Sequence, residues 1–172
     1  MLEFNKDDCR NLEISGAREW LIVNGIGGYA SSTIASMNTR RYHGLLVAAT
    51  APPLGRIVLL SQLEDTLIVD GARFNFSTNL YAGSIVHPSG YLNLTDFRLD
   101  PFPCFTYGHD DWQMKKSIFM VHGENTTVVE YVFITSRFDR PVQLEIRPLI
   151  AFRDYHSVTR FHRCDEREMG LA

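Results

Sequence analysis

The run Arg56-Ile57-Val58-Leu59-Leu60-Ser61-Gln62-Leu63-Glu64-Asp65-Thr66-Leu67-Ile68-Val69, followed at once by Asp70-Gly71, decides how this sequence folds. A long stretch rich in β-branched and apolar residues reads as a strand. Asp-Gly directly after it supplies the two positive-φ positions of a tight hairpin turn. Phe74 and Phe76 then alternate with polar neighbours, as a returning strand should.

Working toward the C-terminus, the same grammar repeats. Tyr91, Leu92 and Leu94 open a strand that Pro101 and Pro103 end. Cys104 to Tyr107 and Trp112 to His122 flank Gly108-His109-Asp110-Asp111, a hairpin by its turn chemistry. Gly123-Glu124-Asn125 is the next turn. Thr126 to Thr135 is apolar on both faces apart from Glu130, which predicts a central strand buried between layers. Arg137 to Pro141 turns the chain, and Val142, Leu144 and Ile146 then alternate with Gln143, Glu145 and Arg147, a strand with one wet face.

Toward the N-terminus, Arg41 to Ala49 reads as a strand stopped by Pro52-Pro53, and Glu19 to Asn24 as one that ends in Asn-Gly. No segment shows a helical stripe. The expected fold class is all-β, a two-layer antiparallel β-sandwich. Residues 1–16 are expected to form an N-terminal arm and residues 17–152 the sandwich. Residues 153–172, where charge replaces the apolar pattern, read as a polar C-terminal segment.

Composition narrows the function. With 172 residues, 45% hydrophobic content and a formal net charge of −3, the chain can bury a core and has no basic field for nucleic acid. Fourteen arginines stand against three lysines, a bias that suits carboxylate, phosphate or sugar-hydroxyl contacts. Cys9, Cys104 and Cys164 are too few and too scattered for a disulfide framework or a zinc knuckle. The N-terminus lacks the apolar core of a signal peptide, and no apolar run nears the ~20 residues that span a bilayer. The expectation is a soluble, cytoplasmic protein without membrane or nucleic-acid partners.

Three motifs invite chemistry. Gly25-Ile26-Gly27-Gly28-Tyr29-Ala30 fits a dinucleotide loop, which also needs a following helix and an acid about 20 residues on. Ser31 to Ser36 is a poor helix, and no Asp or Glu lies between Glu19 and Glu64, so these glycines read as turn and close-approach positions. The same acid-free window holds Arg40, Arg41, Tyr42 and His43, which can present donors and a flat ring to a sugar or a carboxylate. As a strand, it would send Arg41 and His43 to one face and Tyr42 to the other. Arg153, Asp154 and His156 form the third candidate network, with Asp154 orienting His156 or clamping Arg153. His156, His162 and Cys164 match no standard metal spacing, and no acid pair stands out for glycoside hydrolysis. Neither a metal nor another cofactor is expected.

Several of these blocks together resemble the opening of prokaryote-type glycogen debranching enzymes. They are Glu19-Trp20-Leu21 through Asn24-Gly25-Ile26-Gly27-Gly28-Tyr29-Ala30-Ser31, then Asn38-Thr39-Arg40-Arg41-Tyr42-His43-Gly44-Leu45-Leu46-Val47-Ala48. Gly55-Arg56 with its apolar strand, His87-Pro88-Ser89-Gly90-Tyr91, Phe97-Arg98-Leu99-Asp100-Pro101 and Arg147 to His156 follow in the same order. The resemblance implies a large sandwich preceding an (α/α)6 barrel that carries the catalytic carboxyls for α-1,6 branch stubs. It therefore implies a domain with no catalytic residues of its own, whose partners are a glycogen-like α-glucan and that barrel, in cis or in trans. Arg40, Arg41, Tyr42, His43, Arg153, Asp154 and His156 would then face the barrel or the glucan. The alternative is a stand-alone α-glucan-binding module using Tyr29, Tyr42, Tyr81, Tyr91, Tyr107 or Trp112 as sugar platforms. An apolar face left open without the barrel would favour homo-oligomers.

Overall fold

The computed structural model describes residues 2–51, 55–109, 111–137 and 139–158. In chain order the strands are β1 (Leu2–Phe4), β2 (Glu19–Val23), β3 (Tyr29–Thr33), β4 (Gly44–Ala51), β5 (Gly55–Val69), β6 (Ala72–Asn75) and β7 (Thr78–Tyr81). They continue with β8 (Ile85–Ser89), β9 (Leu94–Leu99), β10 (Pro103–His109), β11 (Trp112–Met120), β12 (Thr127–Thr135) and β13 (Val142–Asp154). Two helical turns, α1 (Lys6–Arg10) and α2 (Leu12–Ser15), lie between β1 and β2.

The expected all-β antiparallel architecture is present. One sheet runs β1-β9-β10-β11-β12 and the other β13-β5-β4-β3-β2, with β6 also on β5 and β7-β8 as a separate ribbon. The Asp70-Gly71 turn is where it was read: both residues have positive φ (51° and 81°), and Val69 pairs with Ala72 across a two-residue loop. The sheets meet through alternate residues of their inner faces. Phe97, Phe105 and Tyr107 from one layer are fully buried with Trp20, Leu67 and Phe76 from the other. Phe76 stacks on Tyr107 at 4.1 Å, and Trp20 meets Phe105 edge-on at 6.1 Å. One charged pair crosses this core: Lys116 Nζ lies 2.5 Å from Asp65 Oδ2, which also accepts from the Tyr131 hydroxyl at 2.8 Å.

Four expectations change. Residues 126–135 do not form a central strand: β12 is the outer strand of its sheet, paired with β11 alone. It is apolar on both sides because Tyr131 and Phe133 lean on the core while Val132 and Ile134 stay about half exposed. Residues 40–43 are a turn closed by the His43 N–H on Arg40 O (3.1 Å), so strand alternation does not set their directions. Gly90–Asn93 is a 3-10 turn, and the strand expected at Tyr91 begins at Leu94.

The fourth change is at the ends of the sandwich. The segment read as an N-terminal arm is joined to it: β1 pairs with β9, and Cys9 lies in the core. Asn5 and Asn11 cap the two helical turns through their side-chain oxygens, a local signal. At the other end β13 runs through Asp154, because Arg153 and Asp154 still pair with Val58 and Ile57 of β5. Within the expected C-terminal segment, residues 159–172 lie outside the described residues.

Candidate functional site

The glycine-rich loop is occupied by its own protein. Asn24 Oδ1 accepts from the N–H groups of Ile26 (3.1 Å) and Gly28 (2.8 Å), the kind of donors a phosphate would need. Its amide donates across the sandwich to Glu124 O (2.8 Å) and Asn125 Oδ1 (3.2 Å). Asn125 in turn pairs with both backbone groups of Ala49. Gly25 and Gly27 have φ of 83° and 99°, and a Cβ on Gly28 would fall 2.5 Å from the Asn24 amide. This is a clasp between layers.

Beside it lies a cluster of rings and guanidinium groups. The turn before β4 and the end of β13, 114 residues apart, meet where Tyr42 Oη lies 3.2 Å from His156 Nδ1. Arg41 donates to His156 O (3.1 Å) and Arg153 to Arg41 O (2.5 Å). Tyr42, Tyr155 and His156 form a ring cluster with centroids 3.9 to 5.8 Å apart. Arg41 sits over Tyr42 at 4.9 Å and Arg56 over Tyr155 at 5.4 Å, both within cation–π range. Arg56 is held by Gly27 O at 2.6 Å, which links the cluster to the clasp. Tyr29 supports it from below, donating to Tyr42 O at 2.9 Å, and burial raises its phenol above the ordinary value.

The structure thus brings together Arg41, Tyr42, Arg153, Asp154 and His156. Asp154 orients the backbone, since its Oδ1 accepts the His156 N–H at 2.8 Å. Arg40 and His43 belong to another group, gathered on Glu19 of β2. Arg40 pairs with Glu19 at 2.6 Å, while His43 is buried, with Nε2 3.5 Å from the same carboxylate. His43 Nδ1 accepts the Thr39 N–H at 3.1 Å, which holds the ring neutral. Desolvation lowers its pKa below the ordinary 6.5, outweighing the pull of Glu19.

Sequence reasoning did not place Arg56 or Tyr155 among the contact residues, although both stand inside the motif blocks quoted for the resemblance. Of the aromatic platforms considered, Tyr107 and Trp112 are core residues, 1% and 3% exposed. Among the described residues no group of three His, Cys, Asp or Glu could hold a metal, and His162 and Cys164 lie outside them. Among the described residues no helix is long and apolar enough to cross a membrane.

Fold and surface together define a two-layer β-sandwich that presents rings and guanidinium donors on its outside. The chain matches the family described as Glycogen debranching enzyme N terminal over residues 18–170, and it belongs to that family. No curated protein and no solved structure matches it.

Proposed function

We propose that this chain is the non-catalytic sandwich domain of a cytoplasmic glycogen-debranching α-1,6-glucosidase. In this reading it scaffolds an (α/α)6 catalytic barrel and forms the substrate-side wall for an α-glucan, without a cofactor. The observation that carries the reading is the meeting of two distant motif blocks in one surface, at the Tyr42–His156 contact of 3.2 Å. A sandwich that only had to fold would have no need to gather Arg41, Tyr42, Arg153, Tyr155 and His156 on its outside. Flat rings and forked donors are the groups that pack on a sugar face and bond its hydroxyls.

The test adds the chain to a separately produced barrel of the same family acting on a branched limit dextrin. The expected result is faster release of glucose with the chain than without it, and loss of that gain in Tyr42→Ala and His156→Ala. The chain alone should release none. A barrel that works at the same rate with or without the chain would count against the scaffold role. A second reading, a stand-alone α-glucan-binding module, is favoured by Tyr81, a platform aromatic that is 54% exposed.

A further inference from the structure

A second concave surface lies away from the Tyr42 cluster. It is a cavity of about 570 Å³ between the outer face of β5, β6 and β13 and the β7-β8 ribbon. That volume falls within the range of about 300 to 1,000 Å³ typical of small-molecule sites. Glu64 on its floor and Arg56 in the other cluster are eight positions apart on β5, about 26 Å at the rise of a strand.

The floor follows from strand alternation. Asp65 and Leu67 point into the core, so Glu64 and Thr66 point outward. Asn75 stands opposite Thr66 on β6, while Glu145 and Arg147 stand opposite Thr66 and Glu64 on β13. These side chains hold one another in place. Arg73 grips Glu145 through both terminal nitrogens (3.4 and 2.5 Å), and Arg147 donates to Glu64 at 3.0 Å. Asn79 donates to the other Glu64 oxygen at 2.9 Å, and the Thr66 hydroxyl to Asn75 Oδ1 at 2.9 Å.

Charge and shape then select the ligand. Two carboxylates balance two guanidiniums, so the cavity draws neither an anion nor a cation, and a phosphate would meet Glu64 and Glu145. Donors and acceptors alternate along the floor, while Tyr81, a residue 54% exposed, stands in the wall. A neutral ligand with hydroxyls that both give and accept hydrogen bonds, and with an apolar C–H face, answers all of these features. That description is a saccharide.

We propose that this cavity binds a short run of α-linked glucose units, with Tyr81 stacked on a sugar face and Arg73, Glu145 and Arg147 bonding hydroxyls. The saccharide class comes from the cavity, and the α-linkage rests on the α-glucan reading above. Set well away from the Tyr42 surface, the cavity holds a second stretch of the same branched polymer and raises its local concentration there.

Calorimetric titration of the chain with maltoheptaose, and with cellohexaose as the β-linked comparison, tests this. Tyr81→Ala and Arg147→Ala alter side chains that are 54% and 75% exposed, so both variants should fold, which circular dichroism checks. The expected result is maltoheptaose binding that weakens at least about tenfold in each variant and holds within about twofold in Leu21→Ala, an exposed β2 side chain that belongs to neither surface. Binding lost in Tyr42→Ala but kept in Tyr81→Ala would overturn the cavity and leave the α-glucan reading standing. Cellohexaose bound in preference, through Tyr81, would overturn the α-linkage and with it the glucan reading. No binding of either sugar at millimolar concentration would overturn the cavity, while the scaffold role, read from barrel activity, would stand.

Discussion

At Gly28 one added methyl would collide with the Asn24 amide at 2.5 Å and with Asn125 Oδ1 at 2.9 Å. Both atoms belong to the clasp and cannot move without breaking it. Gly28→Ala should therefore lose about 1 to 3 kcal/mol, the usual cost of overpacking, read by urea unfolding. Cys9 is a second residue whose chemistry is set by its neighbours. Burial first, then Asp96 and Asp8, push its thiol up to about 12, so it stays protonated at neutral pH. Iodoacetamide at pH 8 should leave the Cys9 peptide unmodified in the folded protein and label it after denaturation. His43 gives a pH dependence with a definite sign. Its folded pKa lies below 6.5, so the unfolded chain binds the proton more readily. The stability it contributes is complete above about pH 6.5 and is lost as pH falls through its lowered folded value. His43→Asn keeps an acceptor for Thr39 and cannot titrate there. It should melt lower overall but with a flatter dependence on pH between 5 and 7.

Between elements, Lys116 of β11 meets Asp65 of β5 inside the core, 3% and 0% exposed, at 2.5 Å. A buried pair of this kind adds little over an apolar pair, yet removing one partner strands the other charge in the core. Lys116→Met should cost about 3 to 5 kcal/mol, and Lys116→Met with Asp65→Leu should recover most of it. A double variant as unstable as the single one would mean the Tyr131 bond to Asp65, not the stranded charge, dominates. The long β5 makes these connections possible. Its first half pairs with β4, its last four residues with β6, and nearly its whole length with β13.

Taken whole, the sandwich leaves apolar side chains outside. On β13, Ile150 is 68% exposed and Phe152 75%, with Ile146 at 46%. Exposed groups of this kind mark surfaces that associate. The chain should form larger species as its concentration rises, and Ile150→Ser with Phe152→Ser should suppress them. Light scattering that reports a monomer at every concentration would count against such association.

Local chemistry alone determined much of this protein. Asp70-Gly71 can hardly do anything but turn, alternating apolar residues must choose one face, and asparagine caps a helix through its own side chain. These are short-range effects, so the sheet class and most strands were readable, as were the motif blocks that place the chain in its family. Position within a layer was not. Thr127–Thr135 has the composition of a central strand and lies at an edge, because which strands flank it depends on residues far away in sequence. The turn at Arg40–His43 hid in an apolar run for the same reason. The candidate site was legible as two motifs, but only the tertiary structure laid Tyr42 against His156 and turned His43 inward to Glu19. The β5–β6–β13 cavity was not legible at all. Its floor comes from three strands whose outward residues meet only after the sheet has formed.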